Sequence, residues 1–509
     1  MKKASFILPP FLAHELLVRC LDSLLEQDQD DIEILLFQEK AGDGLSVPAP
    51  DNFPNLVALP AAEPNENLPG LLNRAASASA GEVLFFVAEC VTFAPGFTRT
   101  YLDRLCRQAE AGWVYGCFHE AADGRPDVLR DVLTDVYDYS EGSQIGPVRG
   151  IRKSCLDAVG CYDESIPYAF EYDLRLRLSE HFDAARVEQP LYRVRPENRL
   201  AAVRLEMSHY RCYAPASGPE SPRSYLDYTT DEEEDFRSAC TRSLARRGAL
   251  IDEPAGPMSC PHPFSPEQAV TVIIPLWNRE DYIGPALESV LQTQDCAFEV
   301  VVVDNGSSDR GPEIVRSYAD HAPVRLIHNT VNNIAGALNA GIRASKGKYI
   351  CQLDSDDLYT ARTLPTLLRY MENRPGAALG ISYYDYIGPD GEQLTDLGVT
   401  RHLEYDPNNL VRTDGIGHAR IWHRCVLEKL GGFDEQHLGN YAEDYDLQLK
   451  LCEQYEILRI PHVLYHYRIN HKKPGETMPY SERHRKKTFA RRAALERRKR
   501  MNSGAVVLY

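Results

Sequence analysis

Long apolar runs, paired cysteines and excess positive charge are all missing from this 509-residue sequence. No apolar stretch approaches the roughly 20 residues that a membrane-spanning helix requires. The first apolar stretch ends at Pro9, so we expect no signal peptide. The 13 cysteines lack the short paired spacings of a zinc site, which favours reduced thiols in a cytoplasmic protein. A net charge of −18 argues against general nucleic-acid binding.

The bulk composition is that of an ordinary folded protein. Hydrophobic residues make up 43% and charged residues 26% of the chain, which leaves enough apolar surface for more than one core. A chain of 509 residues exceeds what one core usually supports. We therefore expect two or three domains.

The sequence contains an internal repeat. Residues 4–93 and 270–359 can be laid over each other without a gap at a constant difference of 266 in residue number, so that Ile7 meets Ile273 and Asn73 meets Asn339. The match resumes later, where 156–164 resembles 427–435 and 172–178 resembles 445–451. A register held over this length predicts two domains with the same fold.

Strand and helix patterns alternate within each repeat. In the second repeat the predicted strands are Thr271–Pro275, Val300–Asp304, Val324–Ile327 and Tyr349–Leu353, and the predicted helices are Tyr282–Gln292, Ile334–Ala344 and Arg362–Met371. This order predicts an α/β fold with a mostly parallel, Rossmann-like sheet that is buried on both faces. Ligands of such sheets bind beyond the carboxyl ends of the strands, so we expect the site just after Pro275, Val303 and Leu353.

Composition divides the chain into four segments. We predict a first domain at 1–199, a linker with helices at 200–265, a second domain at 266–475 and a basic helical tail at 476–509. The tail holds ten Lys or Arg against two Glu between Ser481 and Arg500. It is predicted to be either a solvated helix or an electrostatic contact with anionic lipid or an acidic partner.

An acidic cluster, Asp354-Ser355-Asp356-Asp357, follows the strand at Tyr349–Leu353. Two carboxylates at alternate positions of a turn can face one divalent cation, and such a cation can hold a diphosphate. The alternative is that these residues cap the next helix and decorate a surface turn. Their place at the predicted ligand-binding edge favours the cation site.

Five ordered motifs of the second repeat carry a family resemblance. They are Thr-Val-Ile-Ile-Pro-Leu-Trp-Asn-Arg (271–279), Val-Val-Val-Asp-Asn-Gly-Ser-Ser-Asp (301–309), Asn-Ala-Gly-Ile-Arg-Ala-Ser-Lys-Gly-Lys-Tyr-Ile (339–350), Leu-Asp-Ser-Asp-Asp (353–357) and Ala-Glu-Asp-Tyr-Asp-Leu (442–447). Together they resemble the motifs of family 2 inverting glycosyltransferases with the GT-A fold. The resemblance implies a nucleotide-sugar donor, most commonly a uridine diphosphate sugar, and Mn²⁺ or Mg²⁺ as cofactor.

The resemblance also implies roles for individual residues. The nucleotide-sugar pocket would contain Pro275, Trp277, Asn278, Asp304, Asn305, Gly336, Asn339, Asp354, Ser355 and Arg468, and the metal ligands would be Asp354, Asp356 and His471. Asp444 matches the general base, and Glu443 would orient the acceptor. Structural alternatives remain: Trp277 as a core aromatic, Asp304 as a cap, Asp444 and Glu443 as partners of a helix dipole, and His471 as a surface residue. His418, Arg420 and Trp422 either line the acceptor side or only pack.

The first repeat has lost most of these polar positions. Asp354, Ser355 and Asp356 correspond to Ala88, Glu89 and Cys90, while Asp304 and Asn305 correspond to Gln38 and Glu39, and His471 to Asn198. At the position of Asp444, Glu171 remains a carboxylate. We predict a degenerate, non-catalytic first domain that serves acceptor binding, dimerisation or support.

These patterns predict a cytoplasmic, metal-dependent, inverting glycosyltransferase of surface polysaccharide biosynthesis. It would use a nucleotide-sugar donor and a glycan, glycolipid or glycoprotein acceptor. We expect no nucleic-acid partner. Peripheral contact at the inner membrane face and an oligomeric state are both left open. The alternatives are a bifunctional two-site polymerase and a non-catalytic nucleotide-sugar-binding scaffold. No Gly-x-Gly-x-x-Gly follows a first strand, which disfavours a nicotinamide dehydrogenase. The Gln-x-x-Arg-Trp motif of processive family members is absent, which favours single transfers by analogy.

Overall fold

The computed structural model describes most of the chain in two compact units, Met1–Arg247 and Gly248–Tyr509. The described residues are 3–8, 14–27, 32–38, 55–63, 65–88, 91–122, 125–130, 139–140, 145–194, 228–252, 269–320, 322–330, 332–402, 405–413, 417–469 and 478–505. The predicted metal ligand His471 lies outside these residues. The predicted α/β architecture is confirmed in both units.

The first unit contains eleven described strands and six described helices. The strands are β1 Ala4–Ile7, β2 Ile32–Phe37, β3 Leu56–Leu59, β4 Val83–Val87, β5 Val91–Phe93, β6 Ala111–Gly116, β7 Phe118–Ala122, β8 Arg125–Arg130, β9 Val148–Arg152, β10 Asp183–Val187 and β11 Tyr192–Val194. The helices are α1 His14–Leu25, α2 Leu68–Ala78, α3 Phe97–Arg107, α4 Lys153–Val159, α5 Phe170–His181 and α6 Thr230–Arg246. Seven of the strands form one sheet, in the order β10-β6-β9-β4-β1-β2-β3.

The second unit follows the same plan with nine described strands in one sheet. The strands are β12 Val270–Leu276, β13 Phe298–Asp304, β14 Val324–His328, β15 Tyr349–Gln352, β16 Leu358–Tyr359, β17 Ala377–Ile387, β18 Val399–Thr400, β19 Arg420–His423 and β20 Glu456–Arg468. The helices are α7 Ile283–Leu291, α8 Gly311–Ala319, α9 Ile334–Ala344, α10 Thr363–Glu372, α11 Asn409–Arg412, α12 Arg424–Lys429, α13 Glu443–Cys452 and α14 Tyr480–Asn502. The Val/Ile runs of β12 and β13 are buried because helices cover both faces of the sheet.

The two main sheets share their strand order and their pairing register. The order β14-β13-β12-β15-β19-β17-β20 repeats β3-β2-β1-β4-β9-β6-β10, with the antiparallel strand at the same place. Ala4 pairs with Ile32 and Val83 in the first sheet, and Val270 pairs with Phe298 and Tyr349 in the second. These residue numbers all differ by 266, the difference at which the sequences match.

A buried polar network is also present in both units. In the second unit, Thr271 donates to Glu299 at 2.9 Å, and Glu299 also accepts the amide of Lys346. The equivalent bonds join Ser5, Glu33 and the amide of Ala80. Glu33 and Glu299 are therefore scaffold residues, since each carboxylate satisfies buried donors at the start of its sheet.

The last helix of each unit packs against the acidic helix of that unit. Helix α6 contacts α5, and α14 contacts α13. Helix α6 begins with a capping box between Thr229 and Glu232, so the acidic run serves as its amino-terminal cap. The segments predicted as a linker and as a tail therefore both contain a helix that packs within a compact unit, and the two units divide between Arg247 and Gly248.

Among the described residues, no helix combines the length and the apolar character that crossing a membrane requires. The basic helix α14 is not a freely solvated helix, because Ala490, Arg491, Ala494 and Arg498 are buried. Much of its charge faces its own domain. The predicted solvated helix is therefore solvated on one side only, and the alternative, an electrostatic contact with anionic lipid or an acidic partner, stays a prediction.

Candidate active site

The carboxyl ends of neighbouring strands bring the predicted donor-side residues to one edge of the second sheet. Leu276 at the end of β12 pairs with Asp304, which in turn pairs with His328 on β14. On the other side of β12, Ile273 pairs with Gln352, and Asp354 follows two residues later. The candidate site therefore lies where the strand pattern predicts it.

The segment after β12 presents an aromatic ring. Trp277 is 48% exposed, so it is not the core aromatic of the structural alternative, and its face is open to a planar ligand. Pro275 is half-buried within β12. Asn278 adopts a left-handed φ of 51°, and its side-chain oxygen accepts the amide of Ser308 at 2.8 Å. Asn278 therefore fastens the two loops that flank Trp277.

Asp304 and Asn305 are buried at the end of β13. One carboxylate oxygen of Asp304 accepts the amide of Ser307 at 2.9 Å, and the other lies 3.1 Å from Nδ1 of His328. Asn305 accepts a bond from Asn329 at 2.8 Å. Both residues shape the loops of the site. The helix-cap alternative for Asp304 is wrong, because helix α8 begins at Gly311 with Arg310 as its N-cap and the bond to Ser307 lies in the loop before it.

Gly336 and Asn339 have structural roles in α9 instead of the predicted contacts with a donor. The amide of Gly336 donates to the N-cap Asn333 at 2.6 Å. Asn339 donates to the carbonyl of Phe433 and to Glu435, and it accepts the amide of Phe433. Its amide group is therefore occupied in joining α9 to a distant turn.

Residues of strand β20 hold the acidic loop, residues 354–357, that follows β15. Asp357 is fully buried and accepts bonds from the Tyr465 hydroxyl at 2.7 Å and from the Arg468 amide at 2.8 Å. Arg468 donates to the carbonyls of Asp356, Gly388 and Pro389 and is 3% exposed. This corrects the prediction that Arg468 reaches the diphosphate, because those carbonyls bind its guanidinium.

The other residues of the acidic loop differ in exposure. Ser355 and Asp356 are buried, whereas Asp354 is half-buried. A carboxylate oxygen of Asp356 lies 3.5 Å from Nε of Arg279. The sequence motifs do not single out Arg279, which lies close enough to form an ion pair with Asp356.

A hydrogen-bonded series, the Asp354–Asp444 network, joins the acidic loop to α13. Gln352 donates to Asp354 at 3.2 Å and accepts from Arg420 at 3.2 Å. The same nitrogen of Arg420 lies 2.8 Å from the Asp444 carboxylate. Burial opposes the charge of Arg420, but Asp444 and Asp354 overcome it and raise the pKa of the guanidinium above its usual value. Donor-side and acceptor-side acids are thus linked through one buried cation.

Arg420 and Gln352 face each other because β19 runs antiparallel to β15. In the first unit, Arg149 and Phe86 form the equivalent pair, and Arg149 lies 2.6 Å from Glu171. The arginine and the acid are therefore common to both units. Gln352 and the acids of the loop are specific to the second unit. In the first unit, Ala88 stands at the position of Asp354.

Glu443 lies next to Asp444 in the first turn of α13. It is 6% exposed, and its buried Oε2 atom has no hydrogen-bond partner among the residues that the structure describes. Burial, together with the neighbouring charge of Asp444, raises the pKa of Glu443 to about 8. At neutral pH it therefore carries a proton and can donate a hydrogen bond to an oxygen of a ligand.

Stability is expected to fall as pH rises, because the folded pKa of Glu443 is about 8 and the ordinary value is 4.5. Between these values only the folded state keeps the proton, so each pH unit costs at most about 1.4 kcal/mol. Urea unfolding from pH 5 to pH 8 measures this slope. The Glu443→Gln variant should lack that contribution, and identical slopes in both proteins would contradict it.

The carboxylate oxygens of Asp354 and Asp356 fit a metal ion that arrives bound to a diphosphate better than they fit a resident metal ion. Among the described residues, no group of three or more His, Cys, Asp or Glu side chains could hold an ion. Asp354 and Asp356 supply carboxylate oxygens only. Magnesium is commonly held by one or two carboxylates together with substrate phosphates and water, which matches this set.

The sequence of the second unit has known relatives. Residues 271–431 match the family model for glycosyl transferase family 2. This part of the chain belongs to that family. The family 2 domain contains Trp277, Asp304, the acidic loop and Arg420, whereas α13 with Asp444 lies beyond the matched residues.

Individual relatives agree with this assignment. An uncharacterized glycosyltransferase of Rickettsia bellii is 34% identical over 128 residues, which are 25% of this chain and 18% of the relative. EpsJ, an uncharacterized glycosyltransferase of Bacillus subtilis, is 26% identical over 218 residues, 40% of this chain and 61% of the relative. A chondroitin synthase of Pasteurella multocida is 29% identical over 185 residues, 36% of this chain and 19% of the relative. The chain thus spans less than two thirds of each relative.

Proposed function

We propose that the protein is an inverting glycosyltransferase that moves a sugar from a nucleotide-diphosphate sugar, with a UDP-sugar as the first choice, to a hydroxyl of a glycan or glycoconjugate. Surface polysaccharide biosynthesis is the proposed setting. The observation that carries the proposal is the Asp354–Asp444 network, in which Gln352 and Arg420 link an acid at the donor edge to an acid at the start of α13. Membership of residues 271–431 in family 2 supports the reaction class.

The donor side binds the nucleotide and its diphosphate in this proposal. Trp277 offers an exposed ring for the base, and Asp304 and Asn305 shape the loop beside it. Asp354 and Asp356 would hold Mn²⁺ or Mg²⁺. When bound, such an ion neutralises charge on the departing diphosphate.

The acceptor side activates the attacking hydroxyl. One carboxylate oxygen of Asp444 accepts the amide of Tyr445 and the other pairs with Arg420, so the side chain is held in place. Asp444 takes the hydroxyl proton while the new bond forms between the acceptor oxygen and the anomeric carbon. The bond from that carbon to the diphosphate breaks, and the electron pair leaves with the nucleoside diphosphate. Attack opposite the leaving group inverts the carbon.

A screen of nucleotide sugars with and without Mn²⁺ tests the proposal. Binding to the folded state raises the melting temperature with affinity and concentration. We expect one donor class to raise it only with Mn²⁺ and to be hydrolysed slowly or transferred when glycan acceptors are added. Absence of any metal-linked shift across UDP, GDP and dTDP sugars would contradict the proposal.

A two-site enzyme is the second candidate, because the Arg149–Glu171 ion pair at 2.6 Å repeats the Arg420–Asp444 pair. The first unit, however, has Ala88 at the position of Asp354 and Phe86 at the position of Gln352. Those apolar side chains supply no ligand for a metal or a diphosphate. We therefore propose one working site, in the second unit, with the first unit as support or as an acceptor-binding module.

A further inference from the structure

We infer that helix α14 is a positioning element of the acceptor side, and that Lys486, Lys487 and Arg491 hold the turn from which Glu443 and Asp444 emerge. The inference rests on the proposed function only in giving Asp444 the role of the base. The contact itself is a property of the fold. It would make the basic helix part of the site's framework.

The turn before α13 is strained. Ala442, the residue that precedes Glu443, has a left-handed φ of 66°, a conformation that L side chains rarely adopt. Strained residues persist where the surrounding structure holds them, and they concentrate at functional sites. The direction in which Glu443 and Asp444 leave the turn therefore depends on contacts on both sides of Ala442.

Helix α14 supplies such contacts on both sides. Before Ala442, Lys486 donates to the carbonyl of Leu438 at 2.5 Å, and the Lys487 ammonium lies 5.5 Å from the centre of the Tyr441 ring. After Ala442, Arg491 donates to the hydroxyl of Tyr445 at 3.0 Å. The three cations thus hold the turn at its start and at its end.

Arg491 acts on the base through one residue. Its guanidinium is 2% exposed and lies 5.2 Å from the centre of the Tyr445 ring. The Tyr445 hydroxyl donates onward to the carbonyl of Leu410 at 2.6 Å, and the Tyr445 amide donates to Asp444. Removing Arg491 would remove a hydrogen bond to the tyrosine hydroxyl and loosen the residue that orients the Asp444 carboxylate.

The first unit provides an internal comparison. In the first unit, Glu180 lies 2.9 Å from Arg246 and 3.8 Å from Arg247. In the second unit, Glu453 lies 3.0 Å from Arg497 and 3.7 Å from Arg498, which is nearly the same geometry. This arginine pair is common to both units, so it belongs to the scaffold. The residue numbers of the two helices differ by 251 at these positions.

The three cations are not shared. At the same difference of 251, the positions of Lys486, Lys487 and Arg491 are occupied in the first unit by Asp235, Phe236 and Cys240. Asp235 there accepts the amide of Tyr168, which is a different way of holding the equivalent turn. The cations therefore accompany the unit that carries the acidic loop, as expected of residues that serve its site.

Arg491→Ala in the full-length protein tests the inference, with Arg491→Lys as the conservative variant and Arg485→Ala, an exposed position of the same helix, as the control. Amide hydrogen exchange is measured over residues 438–447, together with kcat and the donor KM. We expect faster exchange of that segment alone and a kcat lower by about 10-fold or more, with the donor KM unchanged. Arg491→Lys should recover part of both effects, and Arg485→Ala should match the wild type.

The two readouts separate the inference from the proposed function. Unchanged exchange at 438–447 in Arg491→Ala would overturn the inference, whatever the rates are. An equal loss of kcat in Arg485→Ala would also overturn the inference. So would a loss of activity in Arg491→Ala that comes only with a higher donor KM. If the exchange changes as expected but the wild-type protein transfers no sugar, the positioning contact stands and the proposed function fails.

Discussion

Asparagine in place of Asp444 is expected to lower kcat by about 10²-fold or more while donor affinity stays unchanged. The amide has nearly the size of the carboxylate, but it cannot take a proton from the acceptor hydroxyl. The Asp354–Asp444 network would lose its ion pair with Arg420 at that end, so the melting temperature must be measured as well. Initial rates at saturating donor, with a separate donor titration, give the two quantities.

The matched control is Glu171→Gln, at the equivalent position of the first unit. In that variant the buried Arg149 loses its charged partner Glu171, so the cost in stability should be comparable with that of Asp444→Asn. Transfer should nevertheless stay within about twofold of wild type at a temperature where the variant is folded. Equal losses of transfer in both variants would favour the two-site enzyme, and full activity of Asp444→Asn would remove Asp444 as the base.

Alanine at Asp356 is expected to abolish the stabilisation that a donor gives in the presence of Mn²⁺. Saturation at 100 times the Kd stabilises a protein by about 2.7 kcal/mol, so the lost shift is easily measured. The variant removes a carboxylate from the acidic loop, together with the contact of that carboxylate with Arg279. Thermal unfolding with donor, with Mn²⁺ and with both separates metal-linked binding from binding of the nucleotide alone.

Asp357→Asn serves as the control for that experiment. Asp357 is the fully buried neighbour that accepts bonds from Tyr465 and from the Arg468 amide. Its asparagine variant should melt at a lower temperature and still show the metal-linked shift. The reverse pattern, a normal shift in Asp356→Ala and a missing one in Asp357→Asn, would move the metal site to a different carboxylate.

Local patterns in the sequence are enough to predict the sheet and the edge at which the candidate residues lie. Val/Ile runs with turns between them predict the parallel strands, and acids at the end of β13 and soon after β15 mark their carboxyl ends. The register difference of 266 between the units was also readable in advance, and the strand pairs reproduce it. These features depend on residues that are near one another in the chain.

The network around Arg420 could not be predicted in the same way. Its members Gln352 and Asp444 stand 68 residues before and 24 residues after Arg420, and the antiparallel pairing of β15 with β19 brings the first of them opposite it. Arg420 was considered only as a lining or packing residue. Nothing in the local spacing tells an arginine that pairs with the base from one that packs.

The repeat contained a signal that would have corrected two assignments. Asn339 and Gly336 are matched by Asn73 and Gly70 in the first unit, which has lost the acids of the loop. Asn73 makes the equivalent bonds, to the carbonyl and amide of Tyr162. A polar residue retained by a copy that lacks the acidic loop is more plausibly part of the scaffold than of the donor pocket.

In the proposed mechanism, carboxylates of the second unit alone bind the metal that accompanies the sugar donor. A crystal structure with donor and Mn²⁺, with data collected at the manganese absorption edge, tests it most directly. We expect an anomalous peak within coordination distance of the Asp354 and Asp356 carboxylates and of the donor diphosphate. A peak at the strand ends of the first unit, or bound donor without any peak at the acidic loop, would contradict it.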